Sequence, residues 1–469
     1  MGCHGQVGHG HLGHGHSDTA IRTRAIRLWT RAVSSSDSVI MIQPMSAAVA
    51  AIHSDDALAV PLGPGVPGGF LHALGERDDF THLEVFGALL PDLYQLFLRA
   101  GVHYRSGFFG PAERFLRDAG ARIDFVPADF RRFEPVLHHL NPRVVATAAA
   151  PPVDGWVSLS VHAGAFVDEL HRAGADPDRL LIVEVSPHFP RTFGLGVHEH
   201  RLHIDEIDIL VESDREPLNL GDAAPSSAEV AIAEHAMAFV HSGCTLQTGI
   251  GGIPSQIAKM IAESPLGDFG VHSEMFTTGL MHLHQAGKVT NHKGGAFDGY
   301  SITTFAAGVP ELYTWLHEND AVRFLPVRYV NSPELIAQNR QMVTINGALA
   351  IDLAGQVVAD TISGKQFSGI GGHEDFVSGP GLSADGRSLI CLPSSSTVNG
   401  ELVTRIVPKL PAGSVISTPR HQVDVVITEW GSAELAGRTI RERAVALASI
   451  GHPDVRDDLL AVAENWPQD

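Results

Sequence analysis

The sequence predicts two α/β domains, and three observations predict them. A chain of 469 residues is too long for one ordinary hydrophobic core. Strand-like and helix-like segments alternate through both halves from about Thr19. Between the halves lies a polar stretch, Arg215 to Ser227, whose Pro217, Gly221, Asp222 and Pro225 give it the composition of a linker. The expected division is a disordered His/Gly-rich tail over residues 1–17, an N-terminal α/β domain over 18–220 and a C-terminal α/β domain over 221–469.

Each element follows from local pattern. In the tail, glycine alternates with His4, His9, His11, His14 and His16, a set without the fixed geometry a metal site needs. Pro61 to Gly69 is a loop by composition. Pro111 to Ala119 and Ser160 to Ala173 carry apolar residues at helical spacing. Leu180 to Val185 and Ile207 to Val211 are short apolar runs suited to buried parallel strands. Beyond the linker, Ala228 to Val240 reads as a helix with Val230, Ala233, Met237 and Val240 on one stripe. Met342 to Ile345, Ser388 to Leu392 and Val423 to Thr428 read as strands. Asp352 and Gly355 form a hairpin turn between two further strands. Thr439 to Ile450 is the expected last helix, with Ile440, Ala444, Leu447 and Ala448 inward and Pro453 after its end.

Charge and cysteine content narrow the function classes. A net charge of −20 repels nucleic acid and anionic membranes, so neither is an expected partner. Cys3, Cys244 and Cys391 are too scattered for a disulfide framework or a zinc site, which fits a reducing compartment. No apolar run approaches the roughly 18 residues that span a bilayer. The N-terminus lacks a basic region followed by an apolar core. The expected location is cytoplasmic.

Three segments carry the chemistry. In the first, Cys244 to Gln247 reads as a strand end and Pro254 as the first residue of a helix with Ile257, Met260 and Ile261 buried. Gly249-Ile250-Gly251-Gly252-Ile253 is then a strand-to-helix turn whose bare backbone admits a phosphate or a developing oxyanion at a helix N-terminus. It is neither a dinucleotide fingerprint nor a P-loop, and a plain tight turn remains the alternative. The second segment is Gly270-Val271-His272-Ser273-Glu274-Met275, a short strand leading toward a helix. Glu274 is either a residue that favours that helix's dipole or a nucleophile among amide donors. The third is Ser368-Gly369-Ile370-Gly371-Gly372, whose three glycines imply a backbone that must approach something closely. Asp375 and Phe376 anchor it.

Taken together, these segments resemble the acetyl-CoA hydrolase/transferase family, most closely its 4-hydroxybutyrate CoA-transferase type. The resemblance covers nearly the whole chain after the tail and is strongest from Thr245 to His452. It also runs through Arg405-Ile406-Val407-Pro408, Ile427-Thr428-Glu429-Trp430-Gly431 and Gly451-His452-Pro453-Asp454. It implies two CoA-transferase-type α/β domains with the active site at their interface. It also implies Glu274 as the nucleophile and contacts to coenzyme A from Gly249, Ile250, Gly251, Gly252 and Ile253. Gly369 and Gly372 would line the thioester side, with Asn346 hydrogen-bonding there.

The implied reaction moves CoA from a short-chain acyl-CoA to a carboxylate such as 4-hydroxybutyrate, acetate, propionate or butyrate. It runs by ping-pong exchange through a glutamyl-CoA thioester. The CoA thioester is a substrate, and no metal, nicotinamide or other permanently bound cofactor is required. Lys365 and Lys293 are weighed as phosphate partners against ordinary lysines; His272 and Glu429 are expected to be structural. An acyl-CoA hydrolase on the same fold is the nearest rival. A binding protein without catalysis and a sugar-phosphate isomerase on a related fold rank lower, because neither needs a nucleophilic Glu274. A homodimer is the expected oligomer.

Overall fold

A computed structural model describes residues 41–221 and 224–466 of the protein. The His/Gly-rich tail, residues 1–17, and Cys3 lie outside the described residues.

The N-terminal half is built on β1 (Asp55–Leu62), β2 (His82–Ala88), β3 (Val102–Ser106), β4 (Ile123–Phe125), β5 (Val144–Ala149), β6 (Leu180–Val185) and β7 (Ile209–Glu212). They form one parallel sheet in the order β4-β3-β2-β1-β5-β6-β7. Every residue of β5 is buried, as is β6 from Leu181 onward, which is why these strands are mostly Val, Ile, Leu and Ala, interrupted only by the buried Thr147 and Glu184. The core on this sheet packs Phe70, Tyr94, Phe97 and Tyr104 against Leu58, Val85 and Ile182.

The C-terminal half repeats the plan with β8 (Thr245–Thr248), β9 (Gly270–Val271), β10 (Met342–Gly347), β11 (Arg387–Cys391), β12 (Val425–Thr428) and β13 (Gly431–Glu434). The order is β9-β8-β10-β11-β12-β13, parallel except for the final hairpin. In each sheet the chain starts inside and grows outward both ways. The order therefore reverses between β1 and β5, and again between β8 and β10. Loops leaving the carboxyl ends of strands at such a reversal diverge and leave a crevice for a ligand.

Most expected elements are present, and the differences have local causes. The helix expected from Ser160 begins only at Val167. Ser160 and Gly164 adopt φ of +57° and +54°, and the amides of Ala163 and Gly164 bond to Thr304 instead of continuing a helix. The helix Ser227–Ala236 ends in a 3-10 turn, Met237–Phe239; of the expected stripe Ala233 and Val240 are buried, while Ile232 and Ala236 take the inward places expected for Val230 and Met237. Pro254 is the third residue, not the first, of the helix Gly252–Glu263. It is tolerated there because first-turn amides have no partner within the helix. Ile440–Ser449 is not the last helix: Pro453 opens another, Pro453–Glu464, and the two pack together under β11 and β12. Asp352 and Gly355 do make the hairpin turn that pairs Ala350 with Val358. Among the described residues, no helix is long and apolar enough to cross a membrane.

Candidate active site

The loops after β8, β9 and β10 leave the same end of the second sheet. Thr248 is paired with Ile345, which places Asn346 of β10 beside the start of the Gly249 loop. On the other side of β8, the short β9 delivers His272, Ser273 and Glu274.

Glu274 does not open a helix. Met275–Phe276 is a second short strand paired with Phe305–Ala306, and the helix starts only at Thr278, capped by Thr277. Ser273 Oγ bonds to the carbonyls of Thr248 (3.1 Å) and Met275 (2.8 Å). The main chain of Glu274 is pinned as well: its carbonyl accepts from Thr304 N at 3.0 Å, Phe305 N at 3.3 Å and Thr303 Oγ1 at 3.0 Å. The dipole-favouring role weighed for Glu274 therefore has no helix to act on.

The carboxylate of Glu274 has two donors. Asn331 Nδ2 donates to Oε2 at 2.6 Å, and the Gly372 amide bonds to the same carboxylate. Desolvation outweighs both bonds and pushes its pKa up to about 7. The Gly369–Gly372 loop lies directly against it. A Cβ on Gly372 would come within 2.0 Å of Glu274 Oε2, and one on Gly371 would meet Oε1 and the Phe108 ring. Gly371 also holds φ +55°, a conformation suited to glycine.

The far side of this loop is held by the N-terminal half. A Cβ on Gly369 would strike Phe108 at 2.6 Å and the Gly107 carbonyl at 2.8 Å. Phe130 N donates to the Gly371 carbonyl at 2.9 Å. Arg114 lies over the Phe367 ring and Arg117 Nη1 donates to Gln366 O at 2.9 Å. Phe130 meets Phe305 edge-on at 6.2 Å.

Asn331, which caps a helical turn, Val327–Val330, was not singled out in the sequence. His272 brings it into place. Its Nε2 pairs with the Val330 carbonyl at 2.8 Å and its Nδ1 with Asn339 Nδ2 at 3.0 Å. Burial holds His272 near pKa 3, so the neutral ring donates through Nε2 and accepts at Nδ1. Asn346 is not hydrogen-bonded to Glu274; its Nδ2 is buried and unpartnered at the end of β10. Around the first loop, Gly249 and Gly251 have open space where a Cβ would point, and Ile250 is 42% exposed. Gly251 holds φ +121° and precedes the helix that starts at Gly252–Ile253.

Other residues weighed for chemistry have partners elsewhere. Lys293 is buried, with Nζ on the Tyr300 carbonyl at 2.8 Å, and is no phosphate ligand. Lys365 is exposed on a small hairpin. Glu429 accepts from Ser394 N and Oγ at 2.8 and 2.6 Å, a structural brace. Among the described residues, no cluster of three or more His, Cys, Asp or Glu is arranged to hold a metal.

Residues 308–463 match the model of the acetyl-CoA hydrolase/transferase C-terminal domain. The chain is 32% identical to succinyl-CoA:cyclohexane-1-carboxylate CoA transferase of Geobacter metallireducens over 89% of its length and 93% of that protein's. The chain belongs to the acetyl-CoA hydrolase/transferase family. It is likewise 33% identical to 4-hydroxybutyrate coenzyme A transferase of Clostridium kluyveri, over 83% of its own length and 92% of that relative's. RipA from Yersinia pestis superposes with a TM-score of 0.82 at 29% identity, over 94% of this chain and 98% of that one. In this family of CoA-transferases the paired α/β halves described above are the shared fold, and the protein is an enzyme of that kind.

Proposed function

We propose that the protein transfers CoA between a short-chain acyl-CoA and a carboxylic acid such as 4-hydroxybutyrate, acetate, propionate or butyrate, with Glu274 as nucleophile. The observation that carries this is the Glu274 carboxylate, desolvated and held by Asn331 and the Gly372 amide within a glycine loop. The Glu274 oxygen attacks the thioester carbonyl, and CoA leaves as thiolate with an acyl-glutamyl anhydride behind it. The thiolate attacks the glutamyl carbonyl and releases the first acid, leaving a glutamyl-CoA thioester. A second acid reverses both steps. Attack on the glutamyl carbonyl puts negative charge on a Glu274 oxygen, where the Asn331 amide and Gly372 N–H are the donors at hand.

The open turn Gly249, Ile250, Gly251, Gly252 and Ile253 is the proposed contact for the CoA tail, at the N-terminus of the 12-residue helix Gly252–Glu263. The unpartnered Asn346 amide and the Gly369 backbone complete that side. The proposed domain boundary stays near residue 220, a homodimer is the proposed oligomer, and the proposed location is cytoplasmic.

Mass spectrometry after incubation with acetyl-CoA and a borohydride or hydroxylamine quench tests the reading. A modification confined to Glu274, with new acyl-CoA formed only when 4-hydroxybutyrate is added, is the expected result. Steady CoA release without an acceptor acid would make the enzyme a hydrolase instead. Glu274→Gln retaining more than a few per cent of transfer would remove Glu274 from the nucleophile role.

A further inference from the structure

Asn331 uses both of its amide hydrogens on carboxylates: Nδ2 donates to Glu274 Oε2 at 2.6 Å and to Asp375 Oδ2 at 3.0 Å. Asn331 and Asp375 are fully buried, and the Asn331 Oδ1 has no partner. Asp375 Oδ1 is in turn paired with Arg131, which reaches over from the N-terminal half and also holds Asp129 at 3.1 Å. An ionised carboxylate only accepts hydrogen bonds, whereas an amide donates from one end and accepts at the other. With Asp375 ionised, the amide of Asn331 has a single productive orientation, NH2 toward both carboxylates. Were Asp375 protonated, it would become a donor, and the amide could turn its oxygen toward Glu274. Arg131 supplies the positive charge that faces the buried Asp375.

We propose that Arg131 and Asp375 are positioning residues for Glu274, acting through the orientation of the Asn331 amide. This rests on the reading of Glu274 as nucleophile. Docking of the Asp129–Arg132 segment on the second glycine loop thereby sets the donor beside the reacting carboxylate. The neighbouring Glu374 accepts from Thr418 Oγ1 at 2.6 Å and also feels the charges of Arg131 and Asp129, but it makes no hydrogen bond to Asn331.

The test is a mutant cycle in transferase kinetics on the full-length enzyme. Arg131→Met, Arg131→Lys and Asp375→Asn are each measured with Asn331 intact and with Asn331→Ala. Arg131→Met and Asp375→Asn should lower kcat about 30- to 100-fold, with KM for acyl-CoA changed less than about threefold. Arg131→Lys should recover activity to within about fivefold of the parent. In the Asn331→Ala background the same changes should cost less than about twofold, because their route is already cut. Equal losses in both backgrounds, or an unchanged kcat, would overturn the proposal. Should Arg131→Met fail a thermal-unfolding check, Asp375→Asn carries the cycle, since it leaves no buried charge unpaired. If Glu274→Gln still turns over, the nucleophile reading falls, and the coupling between Arg131 and Asn331 is still read from the cycle.

Discussion

Gly372 and Glu274 are so close that only a hydrogen fits on the glycine α-carbon: a Cβ there would lie 2.0 Å from Oε2 and 2.3 Å from Asn331 Nδ2. The backbone itself is ordinary, with φ −94°, so an alanine is excluded by its neighbours and not by its dihedral angles. Gly372→Ala should fold yet lose about 100-fold or more in kcat, since displacement of a reacting group by about 1 Å costs that much. Steady-state kinetics beside a thermal melt would check it. A near-normal kcat would mean the carboxylate has room to move.

Asn331→Ala removes a donor to Glu274 and should cost about 10²- to 10³-fold in kcat, as for loss of one oxyanion donor. Asn331→Asp is a sharper test. It sets a like charge beside Glu274 and should move the acid limb of the kcat profile to higher pH, relative to the parent enzyme.

The raised Glu274 pKa, about 7, has a kinetic and a thermodynamic consequence. The nucleophile is the ionised form, so kcat/KM should rise with pH through a midpoint near 7 and then level off. For stability, a carboxylate raised in the folded state contributes most below its unfolded pKa of 4.5, and that contribution is lost as pH rises through 7. Glu274→Gln should therefore flatten this part of the stability curve and unfold at higher denaturant than the parent at pH 8. Chemical denaturation at pH 5 and pH 8 separates the two proteins.

Five histidines with lowered pKa, three of them buried, work in the opposite sense. Burial holds His162 and His272 near pKa 3, and His200, His284 and His373 near 4. Their stabilising contribution is complete above the unfolded value of 6.5 and is lost as pH falls toward the folded values, at about 1.4 kcal/mol per unit for each. The raised carboxylates, Glu274 and Glu113 near 7 and Glu134 and Glu374 shifted the same way by burial, offset only part of this. Unfolding should accordingly sharpen below pH 6, with net proton uptake, and a flat stability curve from pH 7 to 5 would contradict it.

The glycine loops and the Glu274 segment were legible in the sequence because glycine-rich turns and a family motif are local features. The paired sheets were legible too, since strands buried on both faces, such as Leu180–Val185, are short and predominantly apolar, with Glu184 the one charged residue in that run. Asn331 was not. In Val330-Asn331-Ser332-Pro333 it looks like any polar residue closing a helical turn, and its contact with Glu274 spans 57 positions of sequence. Arg131 was hidden in the same way, one of two adjacent arginines whose partner Asp375 sits in the other half. The Ser160 segment misled for a related reason: its apolar spacing is helical, but hydrogen bonds to Thr304 decide its conformation.

The second glycine loop is gripped on one face by Gly107–Phe108 and Phe130 and on the other by Glu274. This arrangement bears on how such a gene can be rearranged. A chain severed within residues 215–227 would yield one fragment with the nucleophile and another with its wall and clamp, and neither alone would hold a finished centre. Fission of the coding sequence is survivable only if the two products find each other again. Co-expressed fragments should then recover turnover by complementation, while each expressed singly stays silent.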